Sequence, residues 1–473
     1  MNPDYADFLR AKVKVADLHG FEVDPVEINP ALKPHAKAIV PWALHGGRRA
    51  IFARFGLQKT SMQLEILRLI LKHVGGPVLA ILPLGVRQEF KRDAETWFTG
   101  DYAVRLNFIR STEALDPDAI NLTNYETVRD GKIDPSVLTA VTLDEAAVLR
   151  GFGGTKTFRE FMRLFCGESE GGVGKGTRFR FVATATPDPN EYIELLAYAA
   201  FLGVMDVGQG KTRFFKRDST NADKLTLHPH KVREFWLWVA SWAVFIQRPS
   251  DLGFSDEGYD LPPLDVRWHE VPTDHSRAGA DRDGQAMMFR NSAIGVTQAA
   301  SEKRDSLPAR LAKMMEIRAE EPHAHRLIWH DLEAERHAIT KAIPSSVAIW
   351  GNLDLAERER RVIGFSEGEF AEFAAKPVIA GSGCNFQRFC SRAVYLGIGF
   401  KFNDFIQSVH RLHRFGQTKR VQIDLIYTEA EREVRRSLEA KWARHDQQAE
   451  VMGALLREFG YVCRRIATAP DCL

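Results

Sequence analysis

From residue 50 onward, short and almost wholly apolar runs alternate with amphipathic stretches. AIFARF, VLAILP, VRLNFI, AVTLDEA and FRFVATATP read as buried strands, with helical segments between most of them. Runs that are apolar at every position, and not only at alternate ones, mark strands buried on both faces, so the pattern predicts a mostly parallel sheet covered by helices. The rhythm breaks between about 225 and 300. There the tryptophan-rich VREFWLWVASWAVFI reads as helix and is followed by the Pro/Gly/Asp-rich RPSDLGFSDEGYDLPPLD, which reads as an insertion or connector. A second series begins near 325, with RLIWHDL, SVAIWG, KPVIAGS, RAVYLG and VQIDLIY as strand candidates and DLAERERRVIGF among the helix-like segments between them. The expected division is an N-terminal extension (1–30), a first α/β lobe (31–224), the connector (225–305), a second α/β lobe (306–445) and a helical tail (446–473). The segment running into the tail carries both signs of charge on amphipathic helices, so it is expected to pack on the second lobe or to meet a protein partner.

Length agrees with this division, because 473 residues exceed the size at which single cores stop growing, and two lobes imply a cleft between them. Hydrophobic residues at 45% and charged residues at 27% exclude a disordered chain. There is no run of eighteen apolar residues, and MNPDYADFLRAKVKV lacks the basic, apolar and cleavage regions of a leader, so a cytoplasmic, membrane-free location is expected. The five cysteines form no CxxC pair, which points to reduced thiols and away from zinc or disulfides. A formal net charge of +2 does not mark a bulk polyanion binder, so contact with nucleic acid must come from local patches.

Candidate chemistry starts at AIFARFGLQKTSMQLEILRLI, where a strand, a loop and an amphipathic helix follow one another in the order a phosphate cradle requires. Against [AG]xxxxGK[ST], Ala53 opens the loop, Gly56 lies within it, Lys59 reaches the β and γ phosphates, and Thr60 ligates magnesium. The penultimate glycine is replaced by Gln58, at a position where glycine permits torsions that a side chain opposes. GFGGTKT (151–157) and GGVGKGT (171–177) are also rich in glycine and carry a lysine, but they lack the strand-to-helix context and read as loops. AVTLDEAAVLR sets Asp144 and Glu145 at the carboxyl end of a strand, where Asp144 suits magnesium and Glu145 the attacking water. FVATATPDPN ends a further strand in Thr184 and Thr186, small hydroxyl residues placed to sense the hydrolysis site.

In the second half, VIAGSGCNFQ follows a strand candidate and carries Gly381, Gly383, Asn385 and Gln387, with glycines for close backbone approach and amides for phosphate. DFIQSVHRLHRFGQTKRV carries Gln407, Arg411, Arg414, Gly416 and Gln417. Arg411 and Arg414 are three apart, so on a helix they share a face and act as arginine fingers on a transferred phosphoryl group.

In their order and approximate spacing these segments resemble the motifs of superfamily II helicases. GxGxNxQ and QxxxRxxRxGQ resemble motifs V and VI of the Snf-type branch, including its phage-encoded relatives. The likeness spans about 32 to 430. Within it, LKPHA (32–36) resembles the opening LRPYQ with Ala36 in place of the adenine-reading glutamine, PLGVRQEFKRDAETW resembles motif Ia, NLTNYETV resembles motif Ib, and HRLIWHDLEAERHAI falls where motif IV would. The resemblance implies two RecA-like lobes with an ATP cleft between them and ATP with Mg2+ as cofactors. It implies hydrolysis by Lys59, Thr60, Asp144, Glu145, Arg411 and Arg414, with Gln417 and Gly383 at the site. Thr123, Asn124 and Tyr125 would contact the nucleic-acid backbone, and Thr184, Thr186, Asn385, Gln387 and Gln407 would couple the two functions. The implied activity is ATP-driven translocation on duplex DNA, gripped through phosphates without sequence specificity. Two alternatives stay open: a strand-separating helicase, and a nucleotide-site protein that binds DNA or a partner without turnover, suggested by Gln58 and Ala36.

Overall fold

The computed structural model describes residues 15–149, 155–170, 172, 175–185, 187, 192–217, 225–273, 302–380, 385–399 and 401–459. The chain divides into two compact units, Met1–Glu257 with His445–Leu473, and Gly258–Arg444.

The first unit is built on strands β1 (Arg48–Ala53), β2 (Val78–Ile81), β3 (Leu106–Phe108), β4 (Ile120–Thr123), β5 (Ala140–Asp144), β6 (Phe179–Thr184) and β9 (Ala243–Ile246), in the order β3-β4-β2-β5-β6-β1-β9. Every pairing in this sheet is parallel. A separate antiparallel pair joins β7 (Phe215–Arg217) to β8 (Leu225–Leu227). All positions of β2, β5 and β6 are buried, which is why these strands read as mainly apolar runs; the charged exception in β6, Arg180, is paired with Glu170 at 2.6 Å. Register brings Asp144 beside Ala183, and Phe52 beside Thr184, so the carboxyl ends of β5, β6 and β1 form one continuous edge.

The second unit carries β10 (Leu264–Val271), β11 (Arg326–Trp329), β12 (Val347–Ala348), β13 (Glu372–Ala375), β14 (Arg392–Tyr395) and β15 (Val421–Thr428), again all parallel, in the order β10-β15-β14-β11-β13-β12. Successive side chains point to opposite faces of a strand. Leu327 and Trp329, Phe373 and Ala375, and Ala393 and Tyr395 accordingly join one apolar cluster, while Ile328, Ala374 and Val394 join another. Both faces of this sheet are therefore covered, and each unit is built on a helix-covered parallel sheet.

Several boundaries differ from the sequence reading. The segment expected to be a connector from 225 is divided between the units: β8, the helix Val232–Ala240 and β9 belong to the first, and β10 to the second. The tryptophan-rich stretch is not one helix, since the chain turns at Ser241, whose hydroxyl donates to the Trp238 carbonyl at 2.7 Å, before β9 begins. Trp236, Trp238 and Trp242 are fully buried core residues of the first unit. KPVIAGS, expected as a strand, contains the four-residue helix Pro377–Ala380, and the strand lies just before it at Glu372–Ala375. Proline lacks the N–H that a ladder needs and suits a first helical turn. The closing helix Arg432–Phe459 begins in the second unit, and its residues from His445 group with the first. Half of the two glycine-rich segments at 151–157 and 171–177, namely 151–154, 171, 173 and 174, lies outside the described residues.

Candidate active site

The phosphate-loop candidate runs from the end of β1 at Ala53 into the helix Lys59–His73. Two of its residues have left-handed backbone, Gly56 at φ 87° and Gln58 at φ 56°, ψ 33°. Glycine reaches this region freely, whereas any side chain adds about 1–2 kcal/mol. The expected glycine position thus keeps the glycine torsion with glutamine in it. The Gln58 carboxamide anchors the strained residue, its Oε1 accepting from the Lys33 backbone N–H at 2.8 Å. Its Nε2 is buried and meets no acceptor among the described residues. A second tie joins the same two segments, with His35 Nε2 lying 3.2 Å from the Leu57 carbonyl. Burial pushes the His35 imidazole down to about 4, so near neutral pH it is uncharged and the Nε2–H tautomer donates to Leu57. Ala36 is wholly buried in the helix Pro34–Gly46 and presents no group to a base.

At the end of β5, Asp144 is 2% exposed, and Glu145 follows it with left-handed backbone at φ 50°. Lys59 Nζ lies 3.7 Å from Glu145 Oε1. Thr184, at the end of β6, places its hydroxyl 3.4 Å from Glu145 Oε2. Lys59 from the loop, Glu145 and the Thr184 hydroxyl therefore meet at one sheet edge, next to Asp144 at the end of β5. Sequence reasoning missed Gln63. Its Nε2 donates to Asp144 Oδ1 at 2.7 Å, and its Oε1 accepts from Thr142 Oγ1 at 2.7 Å. The available signal was a polar residue one helical turn after Lys59, on a helix whose other inward positions are largely apolar.

Burial pushes the Asp144 carboxyl up to about 7, and nearby Glu145 acts in the same direction, while Lys59 and the bond from Gln63 oppose them. A carboxylate desolvated in this way calls for a cation, and the Asp144 carboxylate and the hydroxyl of Thr60, in the first turn of the helix Lys59–His73, are hard-oxygen donors of the kind that Mg2+ takes. Among the described residues no group of three or more His, Cys, Asp or Glu could hold a metal on its own.

The candidate strand-contact residues of the first unit are placed otherwise than expected. Thr123 is fully buried and donates to the Ile109 carbonyl at 2.9 Å. Tyr125 is buried, and its hydroxyl donates to the Asp144 carbonyl at 2.7 Å. Neither can reach a phosphate. Asn124 caps the helix Tyr125–Arg129, accepting from the Thr127 N–H at 2.7 Å. Tyr125 serves the site from within, by fixing the backbone of the acidic pair. Thr186 and Gly383 lie outside the described residues.

In the second unit the helix Phe402–Val409 carries Gln407 and ends before Arg411 and Arg414. The arginines do not share a helical face. They stand in consecutive turns, closed by Arg411 N–H to Ser408 O and by Gln417 N–H to Arg414 O. Both are buried, at 2% and 8% exposure. Gln417, expected at the chemistry, is fully engaged by the turn. Its Nε2 donates to the Cys390 and Leu412 carbonyls at 3.1 and 3.2 Å, and its Oε1 accepts from the Thr418 and Lys419 N–H groups at 3.0 and 2.9 Å. With all four valences used, it shapes the loop and leaves nothing for a ligand. Gln387 donates from Nε2 to the Phe415 carbonyl at 3.1 Å, linking the two motif candidates of this unit. Asn385 Oδ1 and Gln387 Oε1 are buried acceptors without a donor among the described residues.

No family model matches the chain, and no curated protein matches it. Among solved structures it is similar to the Sulfolobus solfataricus SWI2/SNF2 ATPase core in complex with dsDNA, with 16% identity over 86% of this chain and 90% of that chain and a TM-score of 0.42.

Proposed function

We propose that this chain is an ATP-hydrolysing nucleic-acid motor that translocates on duplex DNA. The observation that carries the proposal is the meeting of Lys59, Asp144, Glu145 and Thr184 at the carboxyl edge of the first sheet, ahead of a helix N-terminus. That edge is where parallel α/β sheets bind nucleotides, and helix-start N–H groups favour phosphate. The order of the remaining motif candidates, ending in QSVHRLHRFGQ, supports the duplex-translocating type.

In this reading Lys59 neutralises the transferred phosphoryl group, and Asp144 and Thr60 hold the magnesium. The bound ion supplies electrophilic stabilisation of phosphate charge. Glu145 takes the proton of the attacking water, its carboxylate held between Lys59 and Thr184. The Glu145–Thr184 contact gives the hydrolysis site a lever on the chain leaving β6, while Tyr125 connects the acidic pair to the helix Tyr125–Arg129. Arg411 and Arg414 supply transition-state charge stabilisation.

The test is ATP turnover by the purified protein with and without duplex DNA, beside Lys59→Ala. Turnover that rises with duplex and falls at least 100-fold in Lys59→Ala supports the motor. ATP binding without turnover would make the chain a binding module, and displacement of a strand from a forked duplex would make it a strand-separating helicase.

A further inference from the structure

The arginine-bearing turns of the second unit begin where the helix Phe402–Val409 stops, so helical geometry does not fix where Arg411 and Arg414 point. Their direction must come from contacts made by the turn itself, and Gly416, with φ 85°, adds a residue of high intrinsic freedom. Part of the restraint is local to the motif candidates: Gln417 bridges Cys390 and Leu412, and Gln387 holds the Phe415 carbonyl. Further restraint comes from a segment that neither the motifs nor the proposed mechanism uses, Gly258 to Pro263, the first residues of this unit. The Tyr259 ring lies on the Phe415 ring with centroids 4.7 Å apart and planes inclined by 30°. A Cβ on Gly258 would stand 3.8 Å from the same ring, so the segment follows Phe415 at van der Waals distance over successive residues. His413 Nε2 lies 2.9 Å from the Pro262 carbonyl, a contact in which the ring N–H donates. The clamped residues alternate with the arginines: His413 directly precedes Arg414, Phe415 directly follows it, and Arg411 lies two residues upstream of His413.

We infer that Tyr259, His413 and Phe415 are positioning residues for Arg411 and Arg414, with the entry segment Gly258 to Pro263 acting as a clamp that sets the arginine turn for phosphoryl transfer. The inference rests on the proposed ATPase reading. It predicts that the clamp acts on catalysis and not on nucleotide affinity, because the contacts that define the clamp join the entry segment to the arginine turn. An arginine misplaced by about 1 Å is enough to cost about two orders of magnitude in rate.

The experiment measures kcat and KM for ATP with duplex DNA, and the rate of tryptic cleavage after Arg414, in the full chain and in Tyr259→Ala, Tyr259→Phe and Phe415→Ala. Tyr259→Ala is expected to lower kcat at least tenfold with KM within twofold of the parent, and to speed cleavage after Arg414 several-fold. Tyr259→Phe should restore both, since the ring and not the hydroxyl makes the contact. Tyr259→Ala with Phe415→Ala should cost no more than the larger single effect. Unchanged kcat in Tyr259→Ala, in a parent that hydrolyses ATP, overturns the positioning role. Unchanged cleavage overturns the clamp itself, whether or not the parent is active. A parent without hydrolysis refutes the ATPase reading on which the catalytic part stands, and that part falls with it.

Discussion

Asp144 gives the sharpest link between the site's geometry and a measurable quantity. The residue is buried, its Oδ1 is held by Gln63, and burial with the neighbouring Glu145 pushes its carboxyl from an ordinary 3.8 up to about 7 against the opposing effect of Lys59. Between about pH 4 and pH 7 the native state therefore binds a proton that the unfolded chain has released. Stability must fall as pH rises through that window, with the full penalty present above pH 7. At about 1.4 kcal/mol per pH unit across that window, the penalty is about a few kcal/mol. Asp144→Asn removes the charge but keeps an oxygen that can accept from Gln63 Nε2. The variant should match the parent near pH 4 and exceed it by a few kcal/mol at pH 8, read as the difference in urea unfolding free energy across the pH series. Adding Mg2+ with a nucleotide should narrow the gap: at 100 times its dissociation constant a ligand adds about 2.7 kcal/mol to the parent and little to the variant. A stability difference that stays constant from pH 4 to pH 8 would show that the Asp144 charge is not the source of strain, and the argument for a cation site there would fail.

Other residues give independent tests. Gln58→Gly relieves about 1–2 kcal/mol of left-handed strain but loses the Lys33 bond, worth about 1 kcal/mol, and frees the unfolded chain; the unfolding free energy should stay within about 1 kcal/mol of the parent. The same variant should keep at least the parental turnover, because the loop already holds the glycine torsion; activity appearing only in Gln58→Gly would show that the glutamine disables the loop. Arg310 and Glu335 form a fully buried ion pair at 2.8 Å in the second unit, so Glu335→Ala leaves an uncompensated guanidinium and should destabilise by about 3–5 kcal/mol in chemical denaturation. Trp238→Ala should cost about 3–5 kcal/mol if the Val232–Ala240 helix belongs to the first core, and close to nothing if it were a surface connector.

Much of the fold was legible in the sequence, because buried parallel strands leave apolar runs that need no tertiary information to recognise. β1, β2, β5 and β6 fall within such runs, and Lys59, Asp144 and Glu145 follow from their place at a strand end or helix start. The tryptophan-rich stretch and β9 were not separable in this way, since a segment buried on all sides loses the periodicity that tells helix from strand. β10 did alternate, with Leu264, Val266 and Trp268 partly buried against the core, but its neighbouring prolines and acidic residues read as connector. What only tertiary structure decided was the use made of each polar group. Thr123 and Tyr125 carry the right chemistry for a phosphate contact, yet packing turns them inward. Gln417 looks like a ligand residue, yet the turn takes all four of its hydrogen bonds. Gln63 and Tyr259 gained roles through partners 81 and 156 residues away, Asp144 and Phe415. Sequence spacing determines what a side chain can do along its own helix or strand. Which distant group it meets, and so whether its valence remains for a ligand, depends on how the strands are ordered in the sheet, and no local pattern encodes that order.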